Sequence, residues 1–279
     1  MSSKDPFGDR IKGYETLTES VISKDQGLVV RVDGRAFHTF TRPLHKFSAE
    51  DGLDGWPNVR FLACMEAAAR AVAEDLRPDI FYYQSDEVTF AWFPRTGESE
   101  FPFGGRVQKL ASLCASKMSV AFYEVIKLML PKLFERENQY PIFDGRCFGV
   151  PDATEVANAV LWRMFDADKN AIQTIARKRF GKGDVLGIPN KDLRVRLFLL
   201  DSNAIKNDES LDWANQNGGW FISGVGQLFF RGGHRLGPCA SSDIFNRTGL
   251  DTKAYWKSVL SEFPEHFPQE ENDGQTGSI

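Results

Sequence analysis

Cysteine and histidine are scarce in this chain. Cys64, Cys114, Cys147 and Cys239 are far apart with no CxxC spacing, and His38, His45, His234 and His266 are equally scattered. Such spacing gives no support to a zinc site and points instead to free, mostly buried thiols in a reducing compartment. No apolar run approaches the roughly 20 residues that span a bilayer. The stretch Met1 to Lys12 is polar and lacks the apolar core of a signal peptide, so a soluble, cytoplasmic protein is expected. No long-period repeat is present. Net charge is also small, −4 over 279 residues, and does not by itself advertise nucleic-acid binding.

What is present is ordinary globular composition: 42% hydrophobic and 26% charged residues. That excludes a mainly disordered chain, a coiled coil and a collagen-like fibre. The 23 phenylalanines supply bulk for a core. The length allows one large domain, or a core domain with an appendage. Charge is unevenly placed: residues 156–200 carry nine Lys/Arg against four Asp/Glu, whereas residues 201–279 carry six against eleven. A basic segment within an acidic protein can be a phosphate-facing surface or simply a solvated helix face.

The run Gly27-Leu28-Val29-Val30-Arg31-Val32 reads as a buried strand leading into Asp33-Gly34-Arg35. Residues 58–76 have apolar side chains at helical spacing. Ile80 to Phe93 reads as strand–turn–strand around Gln84-Ser85-Asp86-Glu87. A helix is predicted from about Arg106 to Leu130, a strand over Pro141–Val150, and a long helix over Thr154–Phe180 begun by Thr154 with Glu155 in its first turn. The order βαββαβ predicts an α+β fold, a small antiparallel sheet with helices on one face. Beyond it, Arg194–Leu200 reads as a strand, and Gly218–Gly226 with Gln227–Phe230 as a hairpin. The expected division is a catalytic part over 1–150, a helical and mixed region over 151–266, and a disordered polar tail over 267–279. The sequence Asp-Gly-Arg-x-Phe occurs twice, at 33–37 and 144–148.

The sharpest chemical feature is Asp33 at the end of one strand with Asp86 in the hairpin turn. On neighbouring strands their carboxylates would lie side by side, and two such charges repel unless a divalent cation neutralises them. Hard oxygen ligands suit Mg²⁺, which completes its shell with water and substrate phosphates, as in two-metal phosphoryl transfer. The alternative is that both are ordinary turn residues. Gly34, without a Cβ, allows backbone groups to approach phosphate and metal. Arg31 is two residues before Asp33 and shares its face, for a phosphate or for a surface salt bridge. Arg106 and Lys109, at i and i+3 of one helix, could clamp a second phosphate or form a solvated helix start.

Val30 to Phe40 (VRVDGRAFHTF), then Gln84-Ser85-Asp86-Glu87, then Phe143-Asp144-Gly145-Arg146, then Trp162-Arg163 with Asp166 and Asn170, resemble in order and spacing the tRNA-His guanylyltransferase family. The resemblance spans about residues 28–180. It implies a palm-like catalytic domain that works in the 3′–5′ direction: a 5′-monophosphate is activated with ATP or GTP, then attacked by the 3′-hydroxyl of an incoming nucleotide. By that resemblance Asp33 and Asp86 hold two Mg²⁺ ions with the Gly34 carbonyl as a further ligand, and Glu87 is a third carboxylate beside them. Gly34, Arg35, Ala36, Phe37, His38 and Ser85 would meet the nucleotide, and Lys46 stands where the family carries a triphosphate-contacting lysine. Family members are commonly tetramers, so a homo-oligomer is expected.

Two departures matter. The family's Lys-Pro-Asn/Phe-Asp is replaced here by His45-Lys46-Phe47-Ser48, and Asp168 stands where eukaryotic members have an anticodon-reading His. The latter looks like the bacterial and archaeal guanylyltransferase-like proteins, which repair 5′-truncated tRNAs. Arg163, Asn170, Arg177, Lys178 and Arg179 fall where the family's tRNA-binding helix would lie. Trp213, Trp220 and Phe221 could stack on bases or, more in keeping with aromatic burial, pack in a core or subunit interface. The competing functions are a palm-domain nucleotide cyclase, for which no GGDEF-type sequence is present, and a catalytically idle RNA- or nucleotide-binding protein.

Overall fold

The computed structural model describes residues 5–42, 59–131, 140–200, 219–222 and 228–230. In chain order the elements are α1 (Pro6–Thr16), β1 (Gly27–Gly34), the short α2 (Phe37–Phe40), α3 (Val59–Leu76), β2 (Ile80–Gln84), β3 (Glu87–Trp92), α4 (Val107–Met129), β4 (Phe143–Val150), α5 (Ala153–Phe180), the short α6 (Lys182–Val185), α7 (Asn190–Leu200), β5 (Gly219–Ile222) and β6 (Leu228–Phe230). Lys46, Cys239, Trp213 and the tail 267–279 lie outside the described residues, as do the side chains of Trp220, Phe221 and Lys178.

The strands form one antiparallel sheet in the order β4-β1-β3-β2-β5-β6. The expected βαββαβ order is present, and the hairpin from beyond residue 200 extends the same sheet through β5. Strand alternation assigns the faces. Leu28, Val30 and Val32 of β1 and Val88, Phe90 and Trp92 of β3 are fully buried against α3 and α4. On α4 the contact is a single ridge of i+4 spacing, Leu110, Cys114, Met118, Phe122 and Ile126, all buried. Phe37, Phe61, Phe122 and Phe143 close the core at the end where β1 exits. Their ring centroids are 4.8 Å (Phe37–Phe143) to 6.2 Å (Phe37–Phe61) apart in tilted and edge-on pairs.

Helices on one face only proves too simple. Helix α5 packs on the opposite face, across β1, β3 and β2, with Val156 and Val160 buried like Val29 and Ala91 of that face. Gly27 admits this approach, since a Cβ there would meet Val156. The start of α5 also differs from expectation: Asp152 is the cap, its Oδ1 accepting the Glu155 N–H at 2.9 Å, two residues ahead of Thr154. Residues 194–200 are helix, not strand. Leu193 is buried against Ile172, Ala176 and Val185, with Leu197 packed beside it. This i, i+4 contact with α5 overrides the β-like run of Val, Leu and Phe. Among the described residues no helix is long and apolar enough to cross a membrane.

Candidate active site at the β1–β3 sheet edge

The site forms where β1 ends and the β2–β3 hairpin turns. Gln84 and Glu87 pair as strand residues, so the expected tetrad narrows to a two-residue turn, Ser85-Asp86. Ser85 is left-handed there, φ 48°, an arrangement uncommon for a non-glycine residue. Its hydroxyl lies 3.0 Å from Asp86 Oδ1 as donor. Across the gap, the Gly34 N–H donates to the Asp86 carbonyl at 2.9 Å and the Arg35 N–H to the Ile142 carbonyl at 2.8 Å. The chain then turns through Ala36 (φ 55°), which drives Phe37 down into the phenylalanine cluster. A Cβ on Gly34 would stand 2.4 Å from the Phe37 ring, so glycine is a steric requirement here.

These contacts set the Asp33 and Asp86 carboxylates together. Burial raises the pKa of both. Asp144, the cross-strand partner of Asp33, raises Asp33 further, opposed by Arg31, Arg146 and Arg163. Asp33 in turn raises Asp86, opposed by the Ser85 hydroxyl, the turn backbone and His38. Two half-buried acids that disfavour each other's ionisation form an oxygen donor set that a hard dication would relieve. Among the described residues no three His, Cys, Asp or Glu side chains gather as a metal cluster. Any ion here would therefore draw its remaining ligands from backbone carbonyl, water and substrate oxygens, which is the habit of Mg²⁺.

Glu87 is placed differently. It faces α5, where Arg163 takes both of its carboxylate oxygens, Nε on Oε1 and Nη2 on Oε2 at 2.8 Å. Arg31 Nε stands 3.7 Å from Oε2. Burial raises the Glu87 pKa against the pull of Arg163 and Arg31. A carboxylate so engaged is an anchor rather than a free ligand. Arg163, expected to touch RNA, is only 8% exposed and also bonds Asp166 Oδ2 at 3.1 Å; its guanidinium faces the sheet and is not available to phosphate. Sequence reasoning missed this pairing, because residues 76 positions apart carry no local signal of contact.

Arg31, Gly34, His38 and Ser85 are all brought to the carboxylates, and Arg35 and Ala36 are exposed beside them. Phe37 is not a free ligand contact: at 2% exposure its ring belongs to the core, leaving only its backbone for a nucleotide. Arg106 and Lys109 are not gathered here either. The start of α4 lies beside Ile22, which borders Gly149, at the opposite end of β4 from Phe143, whose N–H bonds Ser119 Oγ farther along α4. Thirteen helical residues separate Arg106 from Ser119 and ten separate Lys109 from it, about 20 Å and about 15 Å. Arg106 pairs with Glu19 instead, and Lys109 lies over the Phe103 ring. Asn170, Arg177 and Arg179 are exposed on the part of α5 that continues past Arg163. Trp162, exposed by 55%, sits against Arg163 and Arg31, 4.5 and 5.8 Å from ring centroid to guanidinium carbon.

Residues 8–151, which contain every one of the site's strands and turns, match the family model described as tRNAHis guanylyltransferase. The chain belongs to that family. Among its curated tRNA(His) guanylyltransferase members, the enzyme of Schizosaccharomyces pombe is 32% identical over 162 residues, 57% of this chain and 56% of that one. The chain thus matches little more than half the length of that relative. An uncharacterized protein of Acanthamoeba polyphaga mimivirus, R259, is 28% identical over 72% of each chain. Among solved structures, a bacterial tRNA(His) guanylyltransferase-like protein in complex with ATP superposes with a TM-score of 0.65 at 26% identity, covering 85% of this chain and 95% of that one. A second, in complex with GTP, gives 0.53 at 28% identity over 64% of this chain and 79% of that one.

Proposed function

We propose that this chain is a Mg²⁺-dependent nucleotidyltransferase with a palm-like catalytic unit, which activates the 5′ end of a tRNA with ATP or GTP and adds a nucleotide to it in the 3′–5′ direction. The observation that carries the reading is the junction of β1 with the β2–β3 turn, where the Gly34 N–H bonds the Asp86 carbonyl and sets Asp33 and Asp86 at one edge. Family membership and the nucleotide-bound relatives support it.

Asp33, Asp86 and the Gly34 carbonyl would hold the metal, which when bound lowers the pKa of an attacking hydroxyl and neutralises triphosphate charge. The chain's own residues supply the rest. His38, close enough to influence Asp86, would donate to a phosphate oxygen. Ser85 fixes the Asp86 carboxylate by its hydroxyl. Activation joins the RNA 5′-phosphate to the α-phosphate of the triphosphate with loss of pyrophosphate; in the second step the 3′-hydroxyl of the incoming nucleotide displaces the nucleoside monophosphate. The exposed Arg177 and Arg179, about 20 Å beyond Arg163 along α5, suit the phosphate backbone of an RNA already engaged at its 5′ end. Asp168 at the anticodon-reading position favours repair of truncated tRNA 5′ ends over strict recognition of tRNA-His.

The test incubates the protein with Mg²⁺, labelled nucleoside triphosphates and a tRNA lacking its first nucleotide. Templated extension by wild type, lost in Asp33→Ala and Asp86→Ala, is expected. Cyclic nucleotide products without RNA, or RNA binding with no turnover, would each overturn the reading.

A further inference from the structure

Strand β4 closes one end of the described sheet, so one of its backbone edges has no described strand beside it. Its register fixes which groups lie on that edge. The Arg35 N–H donates to the Ile142 carbonyl, and Asp33, Arg31 and Val29 stand opposite Asp144, Arg146 and Phe148. The even-numbered residues therefore turn their amides toward β1, while Phe143, Gly145, Cys147 and Gly149 turn theirs outward. Helix α4 takes one of these groups, the Phe143 N–H, which donates to Ser119 Oγ at 3.0 Å. Among the described residues nothing pairs with the outward amides of Gly145 and Cys147.

The side chains of the open face have unmet partners too. Ile142, Asp144, Arg146 and Phe148 alternate along the face turned away from α3 and α4, and all four are exposed. Asp144 faces Asp33 and Arg146 faces Arg31, and like charges directly opposite each other destabilise a strand pair. Neither Asp144 nor Arg146 has a hydrogen bond or salt bridge among the described residues. Ile142 and Phe148 keep 48% and 41% of their surface exposed. Outward from Gly145 the face thus reads acid then apolar in one direction, base then apolar in the other. Helix α4 leaves room beside it: its flank along β4, marked by Ser119 and by the Tyr123 ring 5.9 Å from that of Tyr140, continues through the small, exposed Ser112 and Ser116.

We infer that this edge pairs with β4 of a second copy of the chain, antiparallel about a two-fold axis at Gly145. That register sets Asp144 against Arg146 of the second copy and Ile142 against Phe148 of the second copy, each contact occurring twice. The two Gly145 residues exchange both backbone hydrogen bonds, and each Cys147 N–H meets the Phe143 carbonyl across the axis. Neighbouring registers lose this match. An axis at Asp144 or at Arg146 brings like charges face to face, one at Phe143 sets Asp144 opposite Ile142, and one at Cys147 sets Arg146 opposite Phe148. The complement of this edge is the edge itself, which selects a second copy over an unrelated strand. The pairing also carries Arg146 of the second copy to Asp144, one strand from Asp33, so each active-site edge draws a positive charge from the other subunit. The inference does not depend on the reaction proposed above.

The experiment is a charge swap read by sedimentation equilibrium of the full chain at micromolar concentration, with folding checked by circular dichroism. Wild type should associate as a dimer or as an assembly of dimers. Asp144→Arg and Arg146→Asp each place like charges across the axis and should raise the dissociation constant of the pair at least about tenfold. The double variant carrying both changes restores opposite charges and should associate like wild type. A second arm combines Ile142→Cys with Phe148→Cys. Within one chain these positions are about 20 Å apart along the strand, whereas across the axis they form a closely spaced pair. Mild oxidation should therefore link two chains, and peptide mapping should find the two substituted positions joined. Monomeric wild type overturns the inference, as do single charge variants that associate as wild type does. A folded double charge variant that stays dissociated overturns the register, and absence of the cross-link does so even if the charge variants fail to fold.

Discussion

Arg163 grips both carboxylate oxygens of Glu87 across the interface of α5 with the sheet, and both side chains are almost wholly buried. Since Glu87 follows Asp86, the helix that carries the exposed Arg177 and Arg179 is pinned next to the acidic turn. Removing one partner strands the other charge. Arg163→Met should therefore destabilise the fold by about 3 kcal/mol, with Arg31 compensating in part. The double variant Glu87→Leu with Arg163→Met should recover most of that loss. Urea unfolding checks both, and a double variant as unstable as the single one would show the pair is not the cause.

Asp33→Asn and Asp86→Asn act in the opposite sense on stability. Each removes one of two acids that oppose each other's ionisation. Thermal midpoints should hold or rise, while nucleotide addition falls by at least about a hundredfold. A variant that loses activity only in proportion to its folded fraction would contradict this.

Burial pushes the thiols of Cys64, Cys114 and Cys147 up to about 12 from an ordinary value of 9.0. At pH 8 all three should resist iodoacetamide in the folded protein and react after denaturation, as read by peptide mass mapping. Because their folded pKa is raised, their contribution to stability is whole below pH 9. It is lost as pH rises toward 12, where the unfolded chain ionises first. A midpoint that fails to fall between pH 9 and 11 would oppose the assignment.

Gly145 is fixed by packing rather than by a turn. A Cβ there would stand 2.4 Å from the Ala111 carbonyl oxygen, backbone against backbone, with no side chain free to move. Gly145→Ala should cost about 1–3 kcal/mol. Gly183→Ala, with nothing near its Cβ, should change stability by less than about 0.5 kcal/mol. Equal effects at both positions would show that β4 can shift on α4.

A single strand period and a single helix period made much of the fold readable in the sequence. The GLVVRV run, the i+4 ridge of α4 and the residues flanking Ser85-Asp86 each carry their pattern within a few residues, because backbone geometry repeats over that distance. Residues 194–200 misled because a short apolar run suits either period, and only the contact of Leu193 with Ala176 and Val185 decides it. The pairing of Asp33 with Asp86 was legible through motif order; that of Glu87 with Arg163 was not.

The two copies of Asp-Gly-Arg-x-Phe mark the division. The sequence alone determined that each holds an acid, a glycine and an aromatic at equal spacing. Tertiary structure decided that Phe37 is core and Phe148 is surface. After Gly34 the chain leaves the sheet and turns inward at Ala36, whereas after Gly145 it remains paired to β1 and alternation turns Phe148 outward. Side-chain chemistry is local information, but which face meets solvent depends on the strand or helix that covers it.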